Sequence, residues 1–388
     1  MRTLRVFEGV VMWLEYFRQY MDTIFPAYLR EKPWNYKNDL IMCGCDALYH
    51  SVGSECWHQY IRDAERFLLN PAGNVINWKA GEHNVDKISF GKSLRLLRDL
   101  QTDDTAVLNR QVKYAYGMLL QQPRTSTGNF WHKDIYPEQV WLDGLYMAMP
   151  FYAQCLAENG ENRWNDIINQ FVTAHKLLWD PHKNLYRHGY DASGEMKWAD
   201  PVSGQSPSVW LRAEGWYLMA LCDVYETARD YSPRAEELAV ILRNALEGLM
   251  QYQDPATHMF FQVTDRPDLP GNYPETSGSA MAAYACMKGA RLHMTAESFW
   301  KTGSEILDGI CMQYLRKEKE QYHLYGICAS AGLGTGPDPH NRTYRSGLAE
   351  YYIQEPQIPD NQHGTGACML AAAEQLYRRH GLCQKEKT

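Results

Sequence analysis

One carboxylate in this chain is placed where acid–base chemistry could occur. Asp143 lies in the stretch Trp131-His-Lys-Asp-Ile-Tyr-Pro-Glu-Gln-Val-Trp-Leu-Asp-Gly-Leu-Tyr146, which crowds aromatic, basic and glycine residues around it. Val140, Trp141, Leu142, Leu145, Tyr146 and Met149 recur on both sides as apolar neighbours. A carboxyl stripped of water there is expected to have a raised pKa, to hold a proton near neutral pH and to donate it. Asp86, in His83-Asn-Val-Asp86, is the second candidate. Two carboxylates facing one sugar are the usual equipment for breaking a glycosidic bond. An aspartate at a helix entrance can also simply cap the helix, and for Asp86 that alternative stays open.

His132, Lys133, His188 and Arg212 form a basic set. A substrate carboxylate needs such donors, and arginine offers it a planar fork. Trp141, Trp210 and Trp216 are candidates for contact with a sugar ring. Trp210 and Trp216 stand six apart, which is not one helical face, so one stacks on sugar while the other packs in the core. Thr276 and His363 complete the candidate binding set, in Glu275-Thr-Ser-Gly278 and Asn361-Gln-His-Gly364. Glu214, in Trp210-Leu-Arg-Ala-Glu-Gly-Trp216, has no substrate atom assigned to it.

These residues need elements to carry them, and helical periodicity dominates the chain. Val6, Val10, Trp13, Leu14, Phe17, Tyr20 and Met21 recur at spacings of three and four. Comparable stripes predict helices over 38–51, 54–69, 86–100, 103–121, 139–158, 161–179, 207–229, 232–253, 276–290, 293–316 and 361–379. Strand-like alternation is confined to short stretches such as His258–Val263. Breakers such as Pro71, Gly73, Pro181, Pro201, Pro270 and Gly271 fall between helices.

Every second helix opens on a glycine-rich or polar motif. With Tyr36, Asp86, Asp143, Arg212, Thr276 and His363 as markers, the steps are 50, 57, 69, 64 and 87 residues, each room for one helical hairpin. Repeated hairpins bury one helix inside and one outside. Six of them close into an all-α (α/α)6 barrel, with the first helix completing the outer ring. The six marked motifs then meet at one rim, and Gly44, Gly144, Gly215, Gly278 and Gly364 permit close packing of the inner helices. An open helical solenoid is the competing arrangement. No low-complexity linker divides residues 1–388, so a single domain is expected.

The bulk numbers narrow the function further. With 388 residues, net charge −7 and pI about 6.0, the chain is not expected to bind nucleic acid broadly. Aromatic residues make up 13 %, including 12 Trp and 26 Tyr, which suits a cleft for sugar rings. Cys43, Cys45, Cys56, Cys155, Cys222, Cys286, Cys311, Cys328, Cys368 and Cys383 are scattered with no CxxC pair, so buried reduced thiols are expected. The N-terminal stretch reads as an amphipathic helix, not a signal peptide, and no run approaches a membrane span. A cytoplasmic protein is the expectation. Gly332-Leu-Gly-Thr-Gly-Pro337 lacks the lysine context of a phosphate loop, and neither HExxH nor a nucleophile elbow occurs. No metal or cofactor is expected. The oligomeric state is not legible.

WHKDIYPEQVWLDGLYM at 131–147, HGYD at 188–191, VWLRAEGWY at 209–217, PETSGSAM at 274–281 and NQHGTGACMLA at 361–371 together resemble glycoside hydrolase family 105. These are the unsaturated rhamnogalacturonyl hydrolases, relatives of the unsaturated glucuronyl hydrolases of family 88. The resemblance covers nearly the whole chain, in order. It implies an (α/α)6 barrel and a substrate left by pectin lyases: an uronic acid with a C4=C5 double bond, commonly attached to rhamnose. It implies Asp143 as the catalytic acid/base and Asp86 as the second carboxylate. It further implies His188, Arg212, Trp210 and Trp216 as active-site residues. The implied reaction protonates C4 and adds water at C5, so that the hemiketal opens and expels the aglycone. One carboxylate serves both proton transfers, unlike the pair in ordinary glycosidases. The expected partner is therefore a small anionic oligosaccharide.

Four alternatives remain at this level. They are an unsaturated glucuronyl hydrolase of other lyase products, an inverting glycosidase using Asp86 and Asp143, a sugar epimerase, and a sugar-binding helical protein without turnover. A fold does not choose among them.

Overall fold

The computed structural model describes residues 2–79, 81–101, 105–336 and 344–385, with side chains described between residues 9 and 378 of those spans. Val6 and Cys383 have side chains outside this set, and so does Pro337 at the end of the glycine-rich loop.

Helix α1 (Arg2–Gln19) passes through one π turn (Tyr20–Ile24) into α2 (Phe25–Glu31). There follow α3 (Tyr36–Val52) with α4 (Cys56–Leu68), and the short α5 (Val85–Ile88) and α6 (Phe90–Leu100) with α7 (Ala106–Gln121). Next come α8 (Leu142–Asn159) with α9 (Trp164–Leu178), α10 (Leu211–Ala228) with α11 (Glu236–Met250), and α12 (Thr276–Arg291) with α13 (Ser298–Tyr314). A one-turn α14 (Ala349–Ile353) precedes α15 (Gln362–Lys385).

Helices α3, α6, α8, α10, α12 and α15 pack each against the next, and α15 returns to α3, which closes the ring. The second helix of each hairpin lies outside its partner, and α1 lies against α13 and α15. This is the expected (α/α)6 barrel, with the first helix in the outer ring. Burial patterns explain which helices go inside. Every residue from Thr276 to Ala290 of α12 is buried, whereas α4 buries only a stripe of Trp57, His58, Ile61, Ala64 and Leu68. A helix apolar all round needs neighbours on all sides, and one with a single stripe needs only one.

The inner helices approach closely at Gly44, Gly215 and Gly278, as expected, whereas Gly144 faces His132 and Val85 and Gly364 faces Ile327. A Cβ at Gly215 would stand 2.8 Å from Met281 Cβ and 3.5 Å from Gly278 Cα, so α10 and α12 touch almost backbone to backbone. Pro150 sits inside α8 and has no N–H for the carbonyl of Tyr146 four residues back. Lys92 fills that gap by donating from Nζ to Tyr146 O at 3.2 Å, which ties α6 to α8.

Three segments depart from the sequence reading. The helix expected over 86–100 is broken between Ile88 and Phe90, leaving Asp86 on its own single turn. The helix expected over 139–158 starts only at Leu142, because β1 (Gln139–Trp141) is drawn into an antiparallel pair with β4 (Gly189–Asp191). The other pairs join β2 (Trp179–Asp180) to β3 (Leu185–Tyr186) and β5 (Leu315–Glu318) to β6 (Gln321–Leu324). His258–Val263 is no strand. Its bridge joins Phe261 to Pro274, and a proline has no N–H to extend a ladder. The nine cysteines whose side chains are described are all unpaired. No described helix is long and apolar enough to cross a membrane.

Candidate active site

The first turns of the inner helices carry Tyr36 (α3), Arg212 (α10), Ser277 (α12) and His363 (α15), with Asp86 on α5 and Asp143 on α8. Side-chain bonds show that they meet. The Tyr36 hydroxyl lies 3.0 Å from His363 Nε2, and Arg212 Nη1 donates to Ser277 Oγ at 3.3 Å. The charges of Asp86, Arg212 and Asp143 all act on Tyr36, whose hydroxyl is pushed up first by burial. Residues 36 to 363 therefore converge on one rim, at the N-terminal ends of the inner helices.

The β1–β4 pair sets the central contact. Trp141 is opposite Gly189, and the Leu142 N–H donates to His188 O at 3.2 Å. His188 thus lies beside the first turn of α8, and its Nε2 stands 3.1 Å from Asp143 Oδ2. Both atoms are buried, and neither has a further side-chain hydrogen-bond partner among the described residues. On its other side His188 Nδ1 shares a 2.7 Å hydrogen bond with the Tyr352 hydroxyl. Trp210 and Trp141 wall in the imidazole, with ring centroids at 4.8 and 5.2 Å.

This contact corrects the expected electrostatics. Burial does push the Asp143 carboxyl up, but His188, with a smaller contribution from His132, outweighs it and holds the group below the usual carboxylate range. A residue distant in sequence thus decides the direction of the Asp143 shift.

Asp86 is already engaged. Lys133 Nζ lies 2.5 Å from its Oδ2, and His132 Nε2 lies 3.6 Å from its Oδ1. Asn84 caps the turn, accepting from the Asp86 N–H at 3.1 Å, so Asp86 is not itself the cap. Burial pushes His132 down to about 4, so it is neutral at ordinary pH. Its ring stacks on Trp141 at 4.6 Å and lies over Gly144, where a Cβ would stand 3.0 Å from Nδ1. Glycine after the aspartate is thus a condition for seating His132.

The remaining expected site residues divide. Arg212 is brought to the rim but only 1 % exposed, and it donates to Cys328 O as well as Ser277, while Nε has no partner among the described residues. Trp141, Trp210 and Trp216 are at most 5 % exposed. Trp216 stacks on Tyr146, and Trp210 on Tyr352, so all three build the wall rather than offering an open face. Thr276 is wholly buried and donates its hydroxyl to Tyr325 O at 2.7 Å. It anchors a loop and is not turned to the cleft. Glu214 lies fully buried with neither carboxyl oxygen hydrogen-bonded to a side chain, and burial raises its pKa well above the ordinary value. The glycine-rich loop bridges Gly334 to Arg345.

Two residues escaped the sequence reading. Tyr352 carried no signal, because nothing local marks a tyrosine that will meet His188 from another element. Lys37 lay in the marked motif Trp34-Asn-Tyr-Lys-Asn38, beside Tyr36. It is half-buried, no carboxylate is paired with it among the described residues, and burial together with Arg212 pushes it down to about 8. Its charge also acts on His363.

Comparisons with known proteins agree with this architecture. The model of Glycosyl Hydrolase Family 88 matches residues 14–379. A solved family 105 glycoside hydrolase from C. acetobutylicum ATCC 824 is 33 % identical, with a TM-score of 0.86 over 93 % of this chain and 99 % of that one. An unsaturated glucuronyl hydrolase specific for heparin shares the fold at 14 % identity, with a TM-score of 0.68 over 97 % of this chain and 98 % of that one. Protein Atu3128 of Agrobacterium fabrum is 38 % identical over 236 residues, 59 % of this chain and 98 % of that protein. The unsaturated rhamnogalacturonyl hydrolase YesR of Bacillus subtilis is 28 % identical over 233 residues, 58 % of this chain and 64 % of that protein.

Proposed function

From the premise that this chain belongs to Glycosyl Hydrolase Family 88, we propose that it hydrolyses a 4,5-unsaturated uronic acid from the non-reducing end of lyase-generated oligosaccharides. The galacturonyl derivative linked to rhamnose is the preferred substrate. The likeness to the unsaturated rhamnogalacturonyl hydrolase YesR supports that choice, and an unsaturated glucuronyl derivative is the alternative.

Asp143 is the acid and then the base. The observation that carries this is its buried Oδ2, 3.1 Å from the buried His188 Nε2 and without a further side-chain hydrogen-bond partner among the described residues. A substrate carboxylate arriving beside Asp143 adds a like charge and displaces water, and both raise its pKa. The anionic substrate thus helps Asp143 to take up the proton it needs. Asp143 delivers that proton to C4, and C5 gains oxocarbenium character. The carboxylate left behind removes a proton from a water that attacks C5. The hemiketal opens and releases the aglycone without a nucleophile at C1.

Asp86, clamped by Lys133, serves binding and the placement of His132. The Lys133 contact at 2.5 Å occupies the Asp86 carboxylate that an inverting glycosidase would need to place a water, which favours this route. Lys37 and Arg212 are the cations assigned to meet the sugar carboxylate.

The test is Asp143→Asn, assayed by loss of the near-ultraviolet enol absorbance of a pectin-lyase disaccharide. A fall of roughly 10²-fold or more with unchanged helical circular dichroism is expected. A folded variant with parental activity refutes the assignment. Parental cleavage of saturated oligosaccharides would point to the glycosidase instead.

A further inference from the structure

We propose that Asp46, His50 and His58 form a binding site for a divalent metal ion of the zinc type, at the barrel mouth opposite the candidate active site. Asp46 and His50 are one turn apart on α3, and His58 is on α4, just across the connecting turn. His58 Nε2 lies 3.2 Å and His50 Nε2 3.6 Å from the same oxygen, Asp46 Oδ1. One ligand atom from each residue lies within 4.8 Å of the other two.

Those separations suit a tetrahedral ion. Zinc binds imidazole nitrogen and carboxylate oxygen at about 2.0–2.1 Å, so ligand atoms on a tetrahedron stand about 3.3 Å apart. Two edges already have nearly that length. The third closes by rotating His50, whose side chain is 64 % exposed and free to turn. His58 is held in place by the Tyr49 ring, stacked at 3.5 Å. Without an ion, two imidazoles compete for one oxygen. With one, each nitrogen has its own bond, and the fourth position is open to water.

The helix end favours a cation, while the adjoining cavity holds both acidic and basic side chains, with Lys92, Arg95, Lys288 and Arg291 among the latter. His50 is in the last turn of α3, where the carbonyl ends of a helix attract positive charge. Asp46 and His50 also line a cavity of about 490 Å³ between the C-terminal halves of the inner helices, which gives an ion a route from solvent. None of Asp86, Asp143, His188 or Arg212 lines that cavity. Asp46 is ten residues along α3 from Tyr36, about 15 Å down the axis. The ion therefore has no part in hydrolysis. It clips inner helix α3 to outer helix α4 and adds stability by binding only the folded chain. Two nitrogens and one carboxylate select zinc, cobalt, nickel or copper over magnesium and calcium.

The experiment uses the full chain stripped with chelator. ZnCl2 is titrated calorimetrically, CoCl2 is followed by visible d–d absorption, and MgCl2 is the control. One zinc per chain, tetrahedral cobalt bands and a zinc-dependent rise in Tm are expected. His50→Ala, at an exposed position, is expected to weaken zinc binding roughly tenfold or more and to remove the Tm rise. Hydrolysis by metal-free His50→Ala should equal that of the metal-free parent. Asp46→Asn is the second variant, should the first bind zinc through a rearranged ligand. The proposal fails if the parent binds no zinc. It fails equally if both variants bind zinc like the parent, or if magnesium gives the same Tm rise.

Discussion

Tyr352→Phe removes one oxygen and keeps the ring. The stack on Trp210, with centroids 5.6 Å apart and planes at 15°, survives the change, so the wall around His188 stays in place. What is lost is the 2.7 Å hydrogen bond to His188 Nδ1, on an imidazole that is 0 % exposed. No water can replace the partner without a rearrangement. Leaving a buried polar atom unsatisfied costs about 1–3 kcal/mol. If the imidazole is needed in its present orientation only while the proton moves, that cost falls on the transition state. At about 1.4 kcal/mol per tenfold, kcat/KM drops by roughly 5- to 150-fold, mostly in kcat. A second effect separates this from simple loosening. The Tyr352 hydroxyl holds in place the imidazole that lowers the Asp143 pKa. The variant should therefore show Asp143 moved upward, with the alkaline limb of the pH–rate profile displaced to higher pH. The assay is the decay of enol absorbance across pH, with urea denaturation confirming a folded variant. A kcat/KM within twofold of the parent and an unmoved alkaline limb would refute the idea that Tyr352 positions His188.

Two further outcomes follow from buried charges. Glu214 keeps its proton in the folded state well above its ordinary value of 4.5, so the unfolded chain ionises first and folding stability falls as pH rises through that window. Glu214→Gln should flatten the fall and be more stable than the parent at pH 8 in urea denaturation; parallel pH curves would disprove the buried neutral acid. Lys37, pushed down to about 8, should lose its charge as pH passes that value, so the KM of the parent rises there. Lys37→Met should raise KM roughly tenfold at pH 7 with little change in kcat and no further rise above pH 8; an unchanged KM removes Lys37 from the binding set.

The sequence carried its repeat openly. Helical stripes recur along the chain and every second one opens on a polar or glycine-rich motif, a pattern that survives in one dimension because it is set by the spacing of side chains along each helix. The openings at Tyr36, Asp86, Asp143, Arg212, Thr276 and His363 are legible for the same reason. A polar, glycine-rich motif before an apolar helix marks an end where chemistry is mounted on a rigid element. Asp143 stood out through neighbours within a few residues of it. Thr276 misled, because a hydroxyl at a motif gives no sign that Tyr325 O will take its proton.

What no local pattern contains is contact between distant segments. The strand pair of Gln139–Trp141 with Gly189–Asp191 brings His188 to Asp143 and reverses the expected shift of its pKa. Tyr352, Lys133 on Asp86 and the trio on α3 and α4 are of the same kind. Residue type and spacing fixed which groups exist and which helices bear them. Closure of the ring, with α15 packed against α3, decided which groups touch. Charge, desolvation and hydrogen bonding act over a few ångströms of space, and only folding makes residues hundreds of positions apart neighbours at that distance.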